Sequence, residues 1–235
     1  MFIGHFGLGF AAKRLAPRAS LGTAFLAAQF ADLLWPVLLL LGMESVRIAP
    51  GATAVTPLVF ESYPITHSLL GMAGWAIALG AAYALPTKDN RGAFVLALLV
   101  ISHWMLDAIV HAPDLPLVPG TDLRIGLGLW HSHAATLAVE VPIFAAGVWV
   151  YARATSARDR IGRYAFVGLV AFLALIQIAN LLGPPPPSAA AVAWVGTAVA
   201  ARRMGVLGGR ASASSSPSVN RGPRLKANRN FCGRA

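Results

Sequence analysis

The stretch Gly92–Ala112, GAFVLALLVISHWMLDAIVHA, decides how the rest of the chain is read. At about 1.5 Å per residue it covers about 30 Å, the thickness of a bilayer's hydrocarbon core, so it predicts a membrane-crossing helix. Yet His103, Asp107 and His111 recur in it at i, i+4 and i+8, which places them on one helix face in a strip about 80° wide. Ionisable groups inside a span cost several kcal/mol unless partnered, so the row is a functional candidate from the outset.

Outward from this segment, four more stretches have the length and apolarity to cross: Leu21–Met43, Ile65–Pro86, Ile125–Tyr151 and Tyr164–Gly183. Each is rich in Leu, Ala, Val and Gly and bounded by Pro, Gly or charge, and helix is the natural reading. A sixth, Ala189–Ala201, is short for a full span. Lys13, Arg14, Arg18, Lys88, Arg91, Arg153, Arg158, Arg160 and Arg163, with the basic C-terminal segment, fall on one side of the alternating loops. Only Arg47 and Arg124 fall on the other. By the positive-inside rule both ends are expected in the cytoplasm, with the loops Glu44–Pro64 and Pro113–Arg124 outside. The opening MFIGHFGLGFAA is apolar but too short to cross. It reads either as a half-helix dipping toward the midplane or as an interfacial helix. No cleavable signal peptide is expected, because the first long apolar run exceeds an h-region. Residues 208–235, rich in Ser, Gly and Arg, are expected to be a disordered basic tail on a membrane domain of residues 1–207.

Composition agrees. Hydrophobic residues make up 57% of the 235-residue chain and charged residues 12%, with mean hydropathy +0.65. A water-facing shell usually takes about 25% charged residues, so a soluble domain is excluded and lipids become the expected surroundings. The net charge of +10 is membrane-flank charge, since it lies between apolar runs and in the tail; nucleic acid is not an expected partner. One cysteine, Cys232, rules out an internal disulfide and a Cys-based zinc site, so any metal must be held by His and carboxylate. The expected class is therefore all-α: a polytopic bundle of five to six transmembrane helices.

The polar residues at membrane depth sit in the first four spans. Asp32 lies mid-span, with Pro36 one turn later expected to loosen the helix. His67, in YPITHSLLG, is expected in the first turn of the second span behind Pro64 and Thr66, where free N–H groups and the dipole favour an anion or a metal-bound hydroxide. His103 and Asp107, one turn apart, can grip one divalent cation, or Asp107 can orient a liganding imidazole. Zinc, manganese and non-haem iron all accept such donors, and the alternative is a hydrogen bond packing two helices. Glu140 is a further buried acid and the candidate general base. His131 and His133, two apart, face opposite sides of a helix, so at most one joins the cluster. A shared ion requires the imidazoles of His67 and His103 within about 10 Å, since metal–nitrogen bonds are about 2.1 Å long.

Gly4-His5, Asp32, Thr66-His67-Ser68-Leu69-Leu70 and Ser102-His103 to Asp107 follow one another in an order that resembles a family of bacterial inner-membrane proteins described as membrane-bound metal-dependent hydrolases, distantly similar to zinc-dependent phospholipase C. The resemblance covers about residues 1–120; over its full length the chain is similar to uncharacterised multi-pass bacterial membrane proteins. It implies that His5, Asp32, His67, His103 and Asp107 are metal ligands or their immediate supports, with Thr66, Ser68, His111 and His133 as further candidates. It also implies zinc and an inner-membrane location. Two departures stand out: the family's Pro-Asp-x-Asp is Ala31-Asp32-Leu33-Leu34 here, and its His-Arg-Gly is replaced by Glu61-Ser62-Tyr63-Pro64.

The expected function is hydrolysis of a lipid or other envelope ester or phosphoester at a single divalent ion. The same row of side chains would also suit a small permease-like transporter of protons or divalent ions, or a structural membrane protein glued by polar contacts.

Overall fold

The computed structural model describes residues 1–198; the tail expected over 208–235, its boundary at 207 and the end of the sixth apolar stretch lie outside the described residues. In chain order, α1 (Ile3–Leu15) is followed by α2 (Leu21–Ala28) and α3 (Phe30–Leu40). An antiparallel ribbon of β1 (Ser45–Ile48) and β2 (Leu58–Ser62) leads to the short α4 (Pro64–His67), then α5 (Leu69–Thr87) and α6 (Asn90–Val110). A second ribbon, β3 (Leu115–Pro116) with β4 (Arg124–Ile125), precedes α7 (His133–Ala154) and α8 (Arg160–Leu182). Four helices, α5 to α8, are long and apolar enough to cross a membrane, and the bent pair α2–α3 makes a fifth if counted as one span. The apolar helix Ala189–Ala198 is shorter.

Helix starts follow side chains that can take up the free N–H groups of a first turn. Ser20, Ser68, Asp89, Ser132 and Asp159 each accept from the amide three residues on, opening α2, α5, α6, α7 and α8 in turn. Two of these caps, with a break at Gln29, correct the boundaries expected from the sequence. The Ser68 cap, in extended backbone, separates α4 from α5, so His67 ends a short helix instead of occupying the first turn of a span. The Ser132 cap starts α7 at His133, eight residues later than Ile125; Gly128, at φ +73, and a 3-10 turn at Leu129–His131 take up the difference. Apolar composition had masked that turn. The run Leu21–Met43 is not one helix: α2 and α3 meet at 56° across Gln29, while the chain stays helical through Pro36. The two ribbons are a further departure from a purely helical chain. Both connect helix ends on the same side of the bundle, where α3 and α6 finish and α5 and α7 begin.

Burial ranks the helices. In α6, 56% of the apolar window is enclosed, against 11–22% for α5, α7 and α8. So α6 is the central post, and its neighbours turn Ile77, Leu85, Trp149, Val167 and Leu175 outward. Such a surface suits acyl chains and would not suit water. α1 is buried almost all round among α2, α6 and α7, as a half-helix would be and an interfacial helix would not. Phe6, Phe10, Phe25, Tyr151 and Phe166 meet edge to face and join α1, α2, α7 and α8. Lys13 Nζ donates to the carbonyls of Pro17 and Ala19, closing the far end of α1.

The approach of α1 to α7 is backbone on backbone. A Cβ placed on Gly147 would collide with the main chain of Gly7, and one on Gly7 would lie 2.7 Å from the Ile143 carbonyl oxygen. Small residues at such a crossing let membrane helices approach closely. Gly147→Ala is therefore expected to cost about 1–3 kcal/mol by forcing the pair apart. Thermal unfolding in detergent reads this as a lowered midpoint, while Gly74→Ala, whose Cβ would meet nothing within 4 Å, leaves the midpoint unchanged.

Candidate metal centre

The C-terminal half of α6 carries His103 and Asp107 one turn apart, both buried. The break between α2 and α3 presents the Ala28 carbonyl oxygen to the His103 ring, and Nδ1 lies 2.8 Å from it. A carbonyl can only accept, so Nδ1 carries a proton and Nε2 is the nitrogen left to face the site. Nε2 points at two carboxylates, 3.1 Å from Asp107 Oδ2 and 3.6 Å from Asp32 Oδ1, and it is buried without a hydrogen-bond partner.

His67 arrives from α4 by the same logic. Its Nδ1 lies 2.7 Å from Thr66 Oγ1, and the Thr66 hydroxyl donates to Glu44 Oε2 at 2.7 Å. With its hydrogen given to Glu44, Thr66 must accept from His67, which puts a proton on Nδ1 and turns Nε2 to the site. That atom stands 3.5 Å from Asp32 Oδ1 and 3.9 Å from Asp107 Oδ2. The His67 and His103 rings are 5.4 Å apart, well inside the limit for sharing one ion. His5, near the deep end of α1, stacks on His103 at 3.8 Å between centroids and places Nε2 3.1 Å from Asp107 Oδ1, which the Met1 amino group also reaches at 2.5 Å.

The Nε2 atoms of two imidazoles and two carboxylate oxygens thus face one another, three of the residues buried and Asp32 open to a cavity. Carboxylates held this close call for positive charge, which protons on the imidazoles or a bound cation would supply. Donor atoms on a tetrahedral ion with bonds of about 2.1 Å lie about 3.4 Å apart, and the four separations here are 3.1–3.9 Å. The sets Asp32–His67–His103 and His5–His103–Asp107 each bring one donor atom per residue within 4.8 Å of one another. The residues fit a divalent metal ion.

All five residues expected as ligands or supports converge; the further candidates do not. The strip on α6 stops at Asp107, because the helix ends at Val110 and His111 leaves it in extended backbone. His111 Nδ1 donates to Asp114 Oδ1 at 3.0 Å, and Tyr63 donates to the same oxygen. Burial holds the His111 imidazole below its ordinary value, and burial, with Asp114 adding, pushes the Tyr63 phenol far above its own. These residues latch the loop after α6. His131 and His133 are exposed. Thr66 stands behind His67, and Ser68 caps α5. Glu140 is buried, but its Oε2 accepts from the amides of Phe2, at 2.9 Å, and Gly4, at 3.5 Å. It caps the dipole end of α1. Glu44, buried in the turn after α3, is the residue the sequence reading passed over: it lies outside every apolar run, and nothing in its local spacing announces a partner more than 20 positions away.

A cavity of about 500 Å³ opens on this group. Asp32, His67 and Asp107 line it, with Glu140, and Trp35, Phe60 and Trp130 add aromatic wall. Asp32 is the accessible member, its side chain 42% exposed, against 3% for His67 and Asp107 and none for His103. Comparison with protein-family models, curated proteins and solved structures gives no match for this chain.

His103 belongs to both donor sets, so His103→Ala is expected to lower stoichiometric divalent metal in the detergent-purified protein at least about tenfold. Elemental analysis checks this, with His133→Ala, exposed and remote in role, expected to keep the wild-type content.

Proposed function

We propose that this chain is a membrane-embedded metal-dependent hydrolase acting on a lipid or other envelope ester or phosphoester, with zinc as its ion. One observation carries the reading: Asp32, His67 and Asp107 line an open cavity and each shares a donor set with the buried His103 behind them. A packing role alone would not need a cavity of about 500 Å³ beside the cluster. The order of motifs shared with the membrane-bound metal-dependent hydrolases supports the same reading, as does the imidazole and carboxylate donor set that zinc accepts.

In this reading His67 and His103 hold the ion through Nε2, and Asp107, oriented by His5, completes the set. A dication there supplies Lewis-acid chemistry: it polarises an ester or phosphoester oxygen and makes water acidic enough to attack near neutral pH. Asp32, exposed to the cavity, takes the proton of the attacking water on its carboxylate. Glu140, tied to the amides of Phe2 and Gly4, holds the end of α1 and thereby His5. The aromatic wall of Trp35, Phe60 and Trp130 receives the apolar part of the substrate. The lysine and arginine distribution supports an inner-membrane orientation with Lys13, Arg14 and the other basic loops toward the cytoplasm and the site in the outer half. The Met1 amino group also lies there, so the expected cytoplasmic N-terminus is replaced by one held at Asp107.

The zinc-loaded protein is expected to hydrolyse members of a panel of phospholipids and acyl or phosphoryl ester analogues. Asp32→Asn is expected to lower kcat/KM about 10²–10⁴-fold, the usual contribution of a positioned acid or base. Reconstituted liposomes should show no metal-ion flux. Flux without hydrolysis would make the protein a carrier, and absence of bound metal would leave the cluster a helix-packing network.

A further inference from the structure

A continuous polar chain lies behind the cluster, not in it. Glu44 Oε1 accepts from the backbone amides of Ile65, at 2.8 Å, and Thr66, at 2.9 Å, while Oε2 accepts from the Thr66 hydroxyl. Glu44 is 4% exposed, Thr66 is fully buried and His67 is 3% exposed, so water competes little for these bonds. Direction passes along the chain without ambiguity. Backbone amides can only donate, an ionised carboxylate can only accept, and the hydroxyl has one hydrogen.

We propose that Glu44 and Thr66 are positioning residues that set the tautomer of His67. They hold the proton on Nδ1 so that Nε2 meets the ion as a bare donor, a role that rests on the metal-centre reading above. Metal-bound histidines commonly give their second nitrogen to a carboxylate or carbonyl, and here a threonine hydroxyl relays a carboxylate one step further away. His103 reaches the same end by a different device, the Ala28 carbonyl. The two imidazoles are thus pre-set before any ion arrives.

The arrangement makes Glu44→Gln a reversal and not a deletion. The glutamine carbonyl must stay with the Ile65 and Thr66 amides, so its NH2 faces Thr66 Oγ1 and donates to it. The hydroxyl hydrogen then turns to His67 Nδ1, the imidazole proton moves to Nε2, and a hydrogen occupies the direction of the ion. Side-chain shape and the backbone caps are kept. Thr66→Val removes the relay, and Thr66→Ser retains it.

Nitrogen-15 NMR of histidine-labelled, metal-free protein in detergent, with His67 assigned by comparison with His67→Asn, is expected to show the Nδ1–H form in wild type and Thr66→Ser, and the Nε2–H form in Glu44→Gln. Cobalt(II) titration is expected to show affinity falling about 10–100-fold in Glu44→Gln and Thr66→Val but little in Thr66→Ser. In a His67→Ala background Glu44→Gln should add no further loss, whereas a merely structural Glu44 would lower affinity in both backgrounds. An Nε2–H wild type, unchanged cobalt affinity in Glu44→Gln, or equal losses with and without His67 would each overturn the relay. If wild type bound no cobalt but showed Nδ1–H switching to Nε2–H in Glu44→Gln, the metal reading would fall while the tautomer control stood.

Discussion

Four carboxylates buried or half-buried in a lipid-facing bundle, Asp32, Glu44, Asp107 and Glu140, set the terms for everything around them. Glu44, Asp107 and Glu140 are shut off from bulk water and must find donors inside the protein, while Asp32 opens on the cavity. Glu140 takes the opening amides of α1, and Glu44 takes those of α4 with the Thr66 hydroxyl. Asp107 takes His5 and the Met1 amino group. What remains is Asp32 and Asp107 opposite the Nε2 atoms of His67 and His103. That concentration of negative charge is local, and it is the place in the bundle that could hold a metal ion.

The backbone is interrupted wherever it meets this group. α2 stops four residues before Asp32, α4 gives way to α5 one residue after His67, α6 ends soon after Asp107, and α1 begins just before His5. Regular helix satisfies its own backbone and offers nothing to a site. Broken helix frees carbonyls and amides, as Ala28 and the first turn of α4 show. Membrane proteins tolerate such breaks only where polar partners or cavities receive the released groups. The breaks and the cluster therefore explain each other.

Much of this was legible in the chain. The period and length of Gly92–Ala112 predict both the central helix and the pairing of His103 with Asp107, because i and i+4 lie on one face of any helix. Extending the rule to His111 failed, since it holds only while the helix lasts and α6 ends at Val110. The depths of Asp32 and His67 pointed to the same layer, but Pro36 misdirected the expected bend: the 56° turn falls at Gln29, where a histidine 75 positions away takes the carbonyl. Glu140 was visible as a buried acid, yet its tie to the start of α1 joins residues almost 140 positions apart and leaves no local mark.

Sequence alone determined that this chain is too apolar for a water-facing shell, roughly which stretches are long and apolar enough to cross a membrane, and which rare titratable residues lie within them, because those follow from composition and from fixed rise per residue. Tertiary structure alone decided which ring nitrogen each histidine offers, which carboxylates serve as caps and which face the cavity. Those outcomes depend on hydrogen-bond partners brought from distant helices, and no spacing within one helix encodes them.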